Sequence, residues 1–331
     1  MQGKIGLEEH FAIEATLGDS KQFMPEEVWP ELRARLLDIH EKRLGFMDRH
    51  GIEKMILSLN APTVQAIPDV RCAIEIARRA NDSLAEQIAR SPARFAGLAA
   101  LPMQDPEAAL QELRRSVRDL GFKGALVNGF SQVGEEDSSV YYDLPQYWPF
   151  WAEVERLDVP FYLHPREPLP SQRRMYEGHP WLMGPVWAFA AETAVHALRL
   201  MASGLFDRYP RLNIILGHLG EGLPASMWRA DHRIRKSPRG IPAKKKLAEY
   251  FYSNFYLTTS GNLRTQTLIG AILEIGADRI LFSTDYPFEE VGEAAEWFDH
   301  ASISELDRVK IGRLNSMKLF KMEDGKSKVK N

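Results

Sequence analysis

Eight short apolar runs, spread along the whole chain and separated by longer amphipathic stretches, limit the fold more than any other feature. The runs cover residues 4–7, 54–59, 95–99, 124–127, 160–163, 213–216, 255–258 and 279–282. Most are rich in Val, Ile, Leu and Phe without clean alternation, the pattern of parallel strands buried on both faces. Helical periodicity fills the gaps at 25–50, 69–90, 106–120, 149–157, 188–206 and 265–275. Asp105-Pro106 reads as a helix cap with a first-turn proline, and Gly51, Gly121 and Gly276 read as helix stops. Eight strands, most followed by a helical stretch, in 331 residues without linker or repeat predict a closed (β/α)8 TIM barrel. The alternative, a doubly wound open sheet, is favoured by a glycine-rich phosphate turn after the first strand. Glu8-Glu9-His10-Phe11 stands there instead. One barrel domain is expected over 1–322, followed by a charged, polar and disordered tail at 323–331.

Composition excludes several classes of function. The net charge is −3 at 26% charged residues, which leaves no basic footprint for nucleic acid. No apolar run approaches the roughly 20 residues that span a bilayer. The first residues lack the basic-then-apolar pattern of a secretory leader, so a cytoplasmic protein is expected. Cys72 is the single cysteine, which excludes an internal disulfide and a thiolate-rich zinc cluster. Its setting, Arg71-Cys72-Ala73-Ile74, predicts a packed, inert thiol on a helix face.

In a (β/α)8 barrel the chemistry sits where strands end and loops begin. In chain order those points carry Glu8 and His10, Asn60, Pro102, Asn128, His164, His218, Ser260 and Asp285. Three of the nine histidines stand there, whereas His40, His50, His196 and His232 fall elsewhere and read as surface or structural residues. Glu8 and His10 are two apart on an extended segment and share a face. Pro165 holds His164 extended. Each position has a plainer reading: an ion pair capping strand 1, a core histidine at 164, a turn aspartate at 285. Taken together, Glu8, His10, His164 and Asp285 form a two-imidazole, two-carboxylate set suited to a divalent cation, Zn²⁺ or Mn²⁺. Asn128 stands at the fourth strand end in place of a bridging lysine, which points to one ion rather than two. His218, with Glu221 three residues on, reads as an acid/base pair, against a plain helix-entry hydrogen bond. The sequence has no motif for an organic cofactor.

The Glu-x-His after strand 1, His164-Pro165, Gly217-His218-Leu219-Gly220-Glu221 and Ser283-Thr284-Asp285-Tyr286-Pro287 resemble the amidohydrolase superfamily. The match is to its decarboxylase branch, related to aminocarboxymuconate semialdehyde decarboxylase. Segments 7–11, 57–62, 124–130 and 202–207 resemble the γ-resorcylate (2,6-dihydroxybenzoate) decarboxylase group of that branch, and the likeness runs from residue 1 to about 321. The chain departs from the superfamily's hydrolases at Glu8, where they usually carry histidine. The resemblance implies a barrel of the metal-dependent hydrolase type with one metal held by Glu8, His10, His164 and Asp285. It implies a substrate bound through its carboxylate and an ortho phenolate, and Asp285 as the acid that protonates the ring carbon. His218 and Glu221 would support proton movement or grip the second hydroxyl. Phe23, Asn128 and Phe288 match pocket-lining positions, and Arg229 matches a substrate contact made from a neighbouring subunit. A homotetramer built from dimers, and carboxylation of resorcinol in bicarbonate excess, are implied as well. Three readings stay open beside this one: another hydroxybenzoate such as 2,3-dihydroxybenzoate or salicylate, a metal-dependent hydrolase of a lactone or cyclic amide, and a catalytically inactive scaffold.

Overall fold

A computed structural model of the chain describes residues 1–21 and 25–322. Phe23 and the tail at 323–331 lie outside the described residues. Eight parallel strands follow one another around a barrel: β1 (Lys4–Phe11), β2 (Ile52–Leu59), β3 (Phe95–Gly97), β4 (Ala125–Asn128), β5 (Phe161–His164), β6 (Ile214–Leu216), β7 (Phe255–Thr258) and β8 (Ile280–Leu281). They pair continuously as β1-β2-β3 and β4-β5-β6-β7-β8. Single parallel bridges, Ala99 to Ala125 and Leu7 to Ser283, join these two groups at both seams and close the ring.

Apart from Glu53 and Lys54 near the start of β2, the strands are buried on both faces, as their composition predicts. Ile5, Leu7, Ile56, Leu126, Tyr162 and Ile215 meet inside the barrel, where Leu319 and Phe320 of the last helical segment also pack. The alternate residues Met55, Leu57, Val127, Leu163, Leu216 and Leu257 face the surrounding helices. Asp105 caps the helix Pro106–Arg118 by accepting from the amides of Glu107 and Ala108, with Pro106 in the first turn.

Three expectations are corrected. The stretch 25–50 is not one helix but two, Trp29–Leu37 and Lys42–Arg49. Between them Asp38 turns its carboxylate onto the amides of Glu41 and Arg43 at 3.0 and 2.9 Å, a local bond that competes with helix continuation. The stretch 188–206 likewise ends at Ala202, because Gly204 takes a left-handed φ of 83° before a short turn at Leu205–Arg208. Cys72 is exposed rather than packed; it sits in the first turn of Val70–Arg90, where its amide donates to the capping Asp69.

His196 has a structural setting. It is buried in the helix Ala188–Ala202, its Nε2 accepts the Tyr142 amide at 3.3 Å, and its ring lies edge-on to Tyr141. Burial, with Arg199 nearby, pushes its pKa down from 6.5 to about 3. Between those values the unfolded chain binds the proton that the native state refuses. The contribution to stability is therefore present above the unfolded value and lost as pH falls. The stability difference between the parent and His196→Gln is expected to shrink by about 1.4 kcal/mol per pH unit through that window. Denaturant unfolding from pH 7 to 4 reads it, and a difference independent of pH contradicts it.

Candidate active site

The site lies at the C-terminal ends of the strands, and β1 reaches it by a change of phase. Ile5 and Leu7 point into the barrel, so strict alternation would send Glu9 inward and Glu8 out. The register with β2 instead slips between Gly6 and Glu9, where three steps on β1 oppose two on β2, and Glu8 takes a φ of 55°. This bulge brings Glu8 and His10 onto the inner face and turns Glu9 outward. There Glu9 accepts from the amide and hydroxyl of Thr284 at 3.0 and 2.6 Å, tying β1 to the segment that carries Asp285. Burial pushes the Glu9 carboxyl up to about 7, against the opposing effect of the Thr284 donors.

Five predicted residues converge. His164 Nε2 is 3.2 Å from Glu8 Oε1, and His10 Nε2 is 3.5 Å from Asp285 Oδ1. His218 Nε2 stands 3.7 Å from Glu8 Oε1 and 3.6 Å from Asp285 Oδ2. Two triads, Glu8 with His10 and His164, and Glu8 with His218 and Asp285, each have their ligand atoms within 4.8 Å of one another. His218 thus faces the same point as the four expected ligands, while its Nδ1 lies 2.7 Å from Glu221 Oε1. Left-handed φ values at His218, Glu221 and Asp285, as at Glu8, mark backbone that the surrounding packing must hold.

The electrostatics are those of a cation site. Burial raises the Glu8 carboxyl, but the imidazoles of His218, His164 and His10 outweigh it and hold it well below the carboxylate range. Burial lowers the His164 pKa, and Glu8 offsets this only in part. At His218 burial again opposes the charge, but Glu221, Glu8 and Asp285 outweigh it and hold the imidazole well above its ordinary value. Glu8 Oε1 and His10 Nε2 are fully buried and have no hydrogen-bond partner. Buried polar atoms are rarely left so. A divalent cation would satisfy both, and the donor set of imidazole and carboxylate fits one.

Beside these groups lies a partly open pocket of about 110 Å³, lined by His164, His218, Asp285, Glu289, Ala61, Pro185, Phe189 and Phe288. Its size is on the scale of the roughly 150 Å³ cavity that accepts benzene. Phe288 also stacks edge-on against His10, with ring centroids 5.5 Å apart. Asn128 is buried beside His164 in the β4–β5 register. Its Nδ2 donates to the carbonyls of Asn60 and Pro62, and its Oδ1 has no partner. Asn128 does not line this cavity, and neither does Arg229, which is exposed on the helix Leu223–Lys236. Tyr162, Thr258 and Phe189 were not singled out from the sequence. Tyr162 carried a usable signal, since it precedes His164 by two and shares its face.

A parallel eight-stranded barrel with carboxylates and imidazoles gathered at its strand ends is the architecture of metal-dependent hydrolase-type enzymes. The chain belongs to the amidohydrolase family, whose model matches residues 23–322. It is 68% identical over 325 residues to the gamma-resorcylate decarboxylase of Rhizobium radiobacter, covering 98% of this chain and 99% of that one. A solved structure of 2,6-dihydroxybenzoate decarboxylase complexed with 2,6-dihydroxybenzoate superposes with a TM-score of 0.96 at 68% identity, over 97% of this chain and 100% of that one. A dihydroxybenzoic acid decarboxylase from a Polaromonas species, solved with bound manganese and the inhibitor 2-nitroresorcinol, gives 0.96 at 65% identity over the full length of both. No helix among the described residues is long and apolar enough to cross a membrane.

Proposed function

We propose that this chain is a carboxy-lyase that converts 2,6-dihydroxybenzoate to resorcinol and CO2 without redox change. The observation that carries this reading is the pair of buried, partnerless ligand atoms, Glu8 Oε1 and His10 Nε2, beside Asp285 and a ring-sized cavity. Glu8, His10, His164 and Asp285 are the residues that would hold the metal, one Zn²⁺ or Mn²⁺ per subunit. When bound, that ion would supply positive charge that neutralises the anionic substrate and helps to orient its ring.

The chain's own groups supply the rest. Two ortho hydroxyls make the carboxylated ring carbon electron-rich, so it accepts a proton from the Asp285 carboxyl. The bond to the carboxylate then breaks, its electron pair restores the aromatic ring, and CO2 leaves. His218, 3.6 Å from Asp285 Oδ2 and backed by Glu221, returns the proton to Asp285 from solvent. Phe189 and Phe288 exclude competing water from the ring face. Asn128, held beside His164 with both amide hydrogens engaged by carbonyls, backs the substrate pocket without lining the 110 Å³ space itself. Arg229, exposed within one chain, contacts substrate across a subunit boundary. The working form is a homotetramer built from dimers, cytoplasmic and free of organic cofactor. In bicarbonate excess the reaction runs backwards and carboxylates resorcinol.

A panel of 2,6-dihydroxybenzoate, 2,3-dihydroxybenzoate and salicylate, assayed by CO2 release, tests the substrate. The 2,6-isomer is expected to give the highest kcat/KM. A higher value for either other acid transfers the assignment to it.

A further inference from the structure

Glu8 offers two oxygens to the site, but the barrel treats them differently. Oε1 is buried without a hydrogen-bond partner and faces His164 and His218. Oε2 accepts from the Tyr162 hydroxyl and from Thr258 Oγ1, the latter at 3.1 Å. Thr258 Oγ1 is 2.8 Å from Ser260 Oγ, and Ser260 Oγ accepts the His218 amide at 3.1 Å. Tyr162 Oη also lies 2.9 Å from Thr258 Oγ1. With Ser260 donating to Thr258, and Thr258 and Tyr162 both donating to Glu8 Oε2, every contact except that one has its donor. Two donors then fill the acceptor positions of Oε2. Glu8, Tyr162, Thr258 and Ser260 are all fully buried. The backbone leaves Glu8 no slack either, because a Cβ on Gly217 would lie 3.0 and 3.1 Å from its two carboxylate oxygens.

We infer that Tyr162 and Thr258 are positioning residues that make Glu8 a one-oxygen metal ligand. They occupy Oε2 and leave Oε1 as the single free lone-pair donor. The inference rests on the reading of Glu8 as a ligand. The chain from Ser260 to the His218 amide also joins this ligand mechanically to the acid/base pair. A carboxylate freed from these two donors can rotate or chelate through both oxygens, which changes how tightly and in what geometry the ion is held. Losses of such supporting hydrogen bonds cost roughly 10- to 100-fold in metal affinity.

The test titrates metal-stripped full-length protein with Mn²⁺ alone, read by electron paramagnetic resonance, for the parent, Tyr162→Phe, Thr258→Val and Thr258→Ser. Tyr162→Phe and Thr258→Val are expected to bind Mn²⁺ at least about tenfold more weakly, with an altered spectrum of the bound ion. Thr258→Ser keeps the hydroxyl and is expected to restore parental affinity. Melting of the metal-stripped proteins separates this from a purely structural role, which would lower the melting temperature and leave affinity alone. Parental affinity in Tyr162→Phe or Thr258→Val, whatever its melting temperature, overturns the assignment for that hydroxyl. A parent chain that binds no Mn²⁺ overturns the ligand reading beneath it as well.

Discussion

Asp285→Asn is expected to keep the fold and to lose roughly 10³-fold or more in kcat, on the order of a lost general acid. The residue has two roles in the proposed mechanism, metal ligand and proton donor to the ring carbon. An amide keeps the shape and a coordinating oxygen but has no proton of suitable acidity. The backbone tolerates the change, since asparagine accepts the left-handed φ of 65° found at Asp285 at least as well as aspartate does. The measurement is single-turnover decarboxylation with metal content determined on the same sample, so that loss of ion and loss of acid are told apart. Turnover within tenfold of the parent in metal-loaded Asp285→Asn removes Asp285 from the proton transfer.

The second large effect is expected at Glu8. Glu8→Gln removes a charge from the centre of both ligand triads, while His164, His10 and His218 stay in place around it. The cost in metal affinity is expected to exceed the roughly 100-fold limit of supporting contacts, because the ligand itself is altered. The glutamine amide also sets a donor against Tyr162 or Thr258 if its nitrogen takes the Oε2 position, or faces the cation if it takes the other. Elemental analysis of the purified variant is expected to find little bound metal, with turnover reduced in proportion. Full metal content in Glu8→Gln contradicts its place in the ligand set.

The barrel is legible in the sequence because burial on both faces writes itself into composition. Runs such as Ile214–Leu216 and Phe255–Thr258 are apolar on consecutive positions, which little but a parallel strand requires. The polar residues at the ends of those runs are conspicuous for the same reason, and five of them converge. What composition does not reveal is phase. Alternation counted from Leu7 sends Glu8 outward, and only the bulge between Gly6 and Glu9, a backbone event with no side-chain signature of its own, brings it in. The division of 25–50 into two helices was equally hidden, because it depends on which amides the Asp38 carboxylate reaches. Cys72 sits in an apparently amphipathic turn, yet the helix presents that position to solvent. Tyr162 and Thr258 escaped notice because in sequence they are ordinary strand residues. Their importance lies in a contact with Glu8 across more than 150 positions of chain.

The Glu8–Tyr162–Thr258 arrangement also bears on why the site favours breaking a carbon–carbon bond over hydrolysis. A carboxylate at this position, held by neutral hydroxyls, lowers the net charge of the cluster relative to an imidazole there. A less positive site is a weaker activator of water. The apolar side chains of Phe189 and Phe288 in the pocket lining act in the same direction in the proposed mechanism, since they offer water no hydrogen bonds.

The most direct measurement follows resorcinol and CO2 together as metal-replete protein consumes 2,6-dihydroxybenzoate, with a chelated sample alongside. The account predicts equimolar resorcinol and CO2 and no added organic cofactor, with turnover abolished by chelation and restored by Mn²⁺ or Zn²⁺. Absence of resorcinol from metal-loaded protein, or turnover indifferent to the chelator, would contradict it.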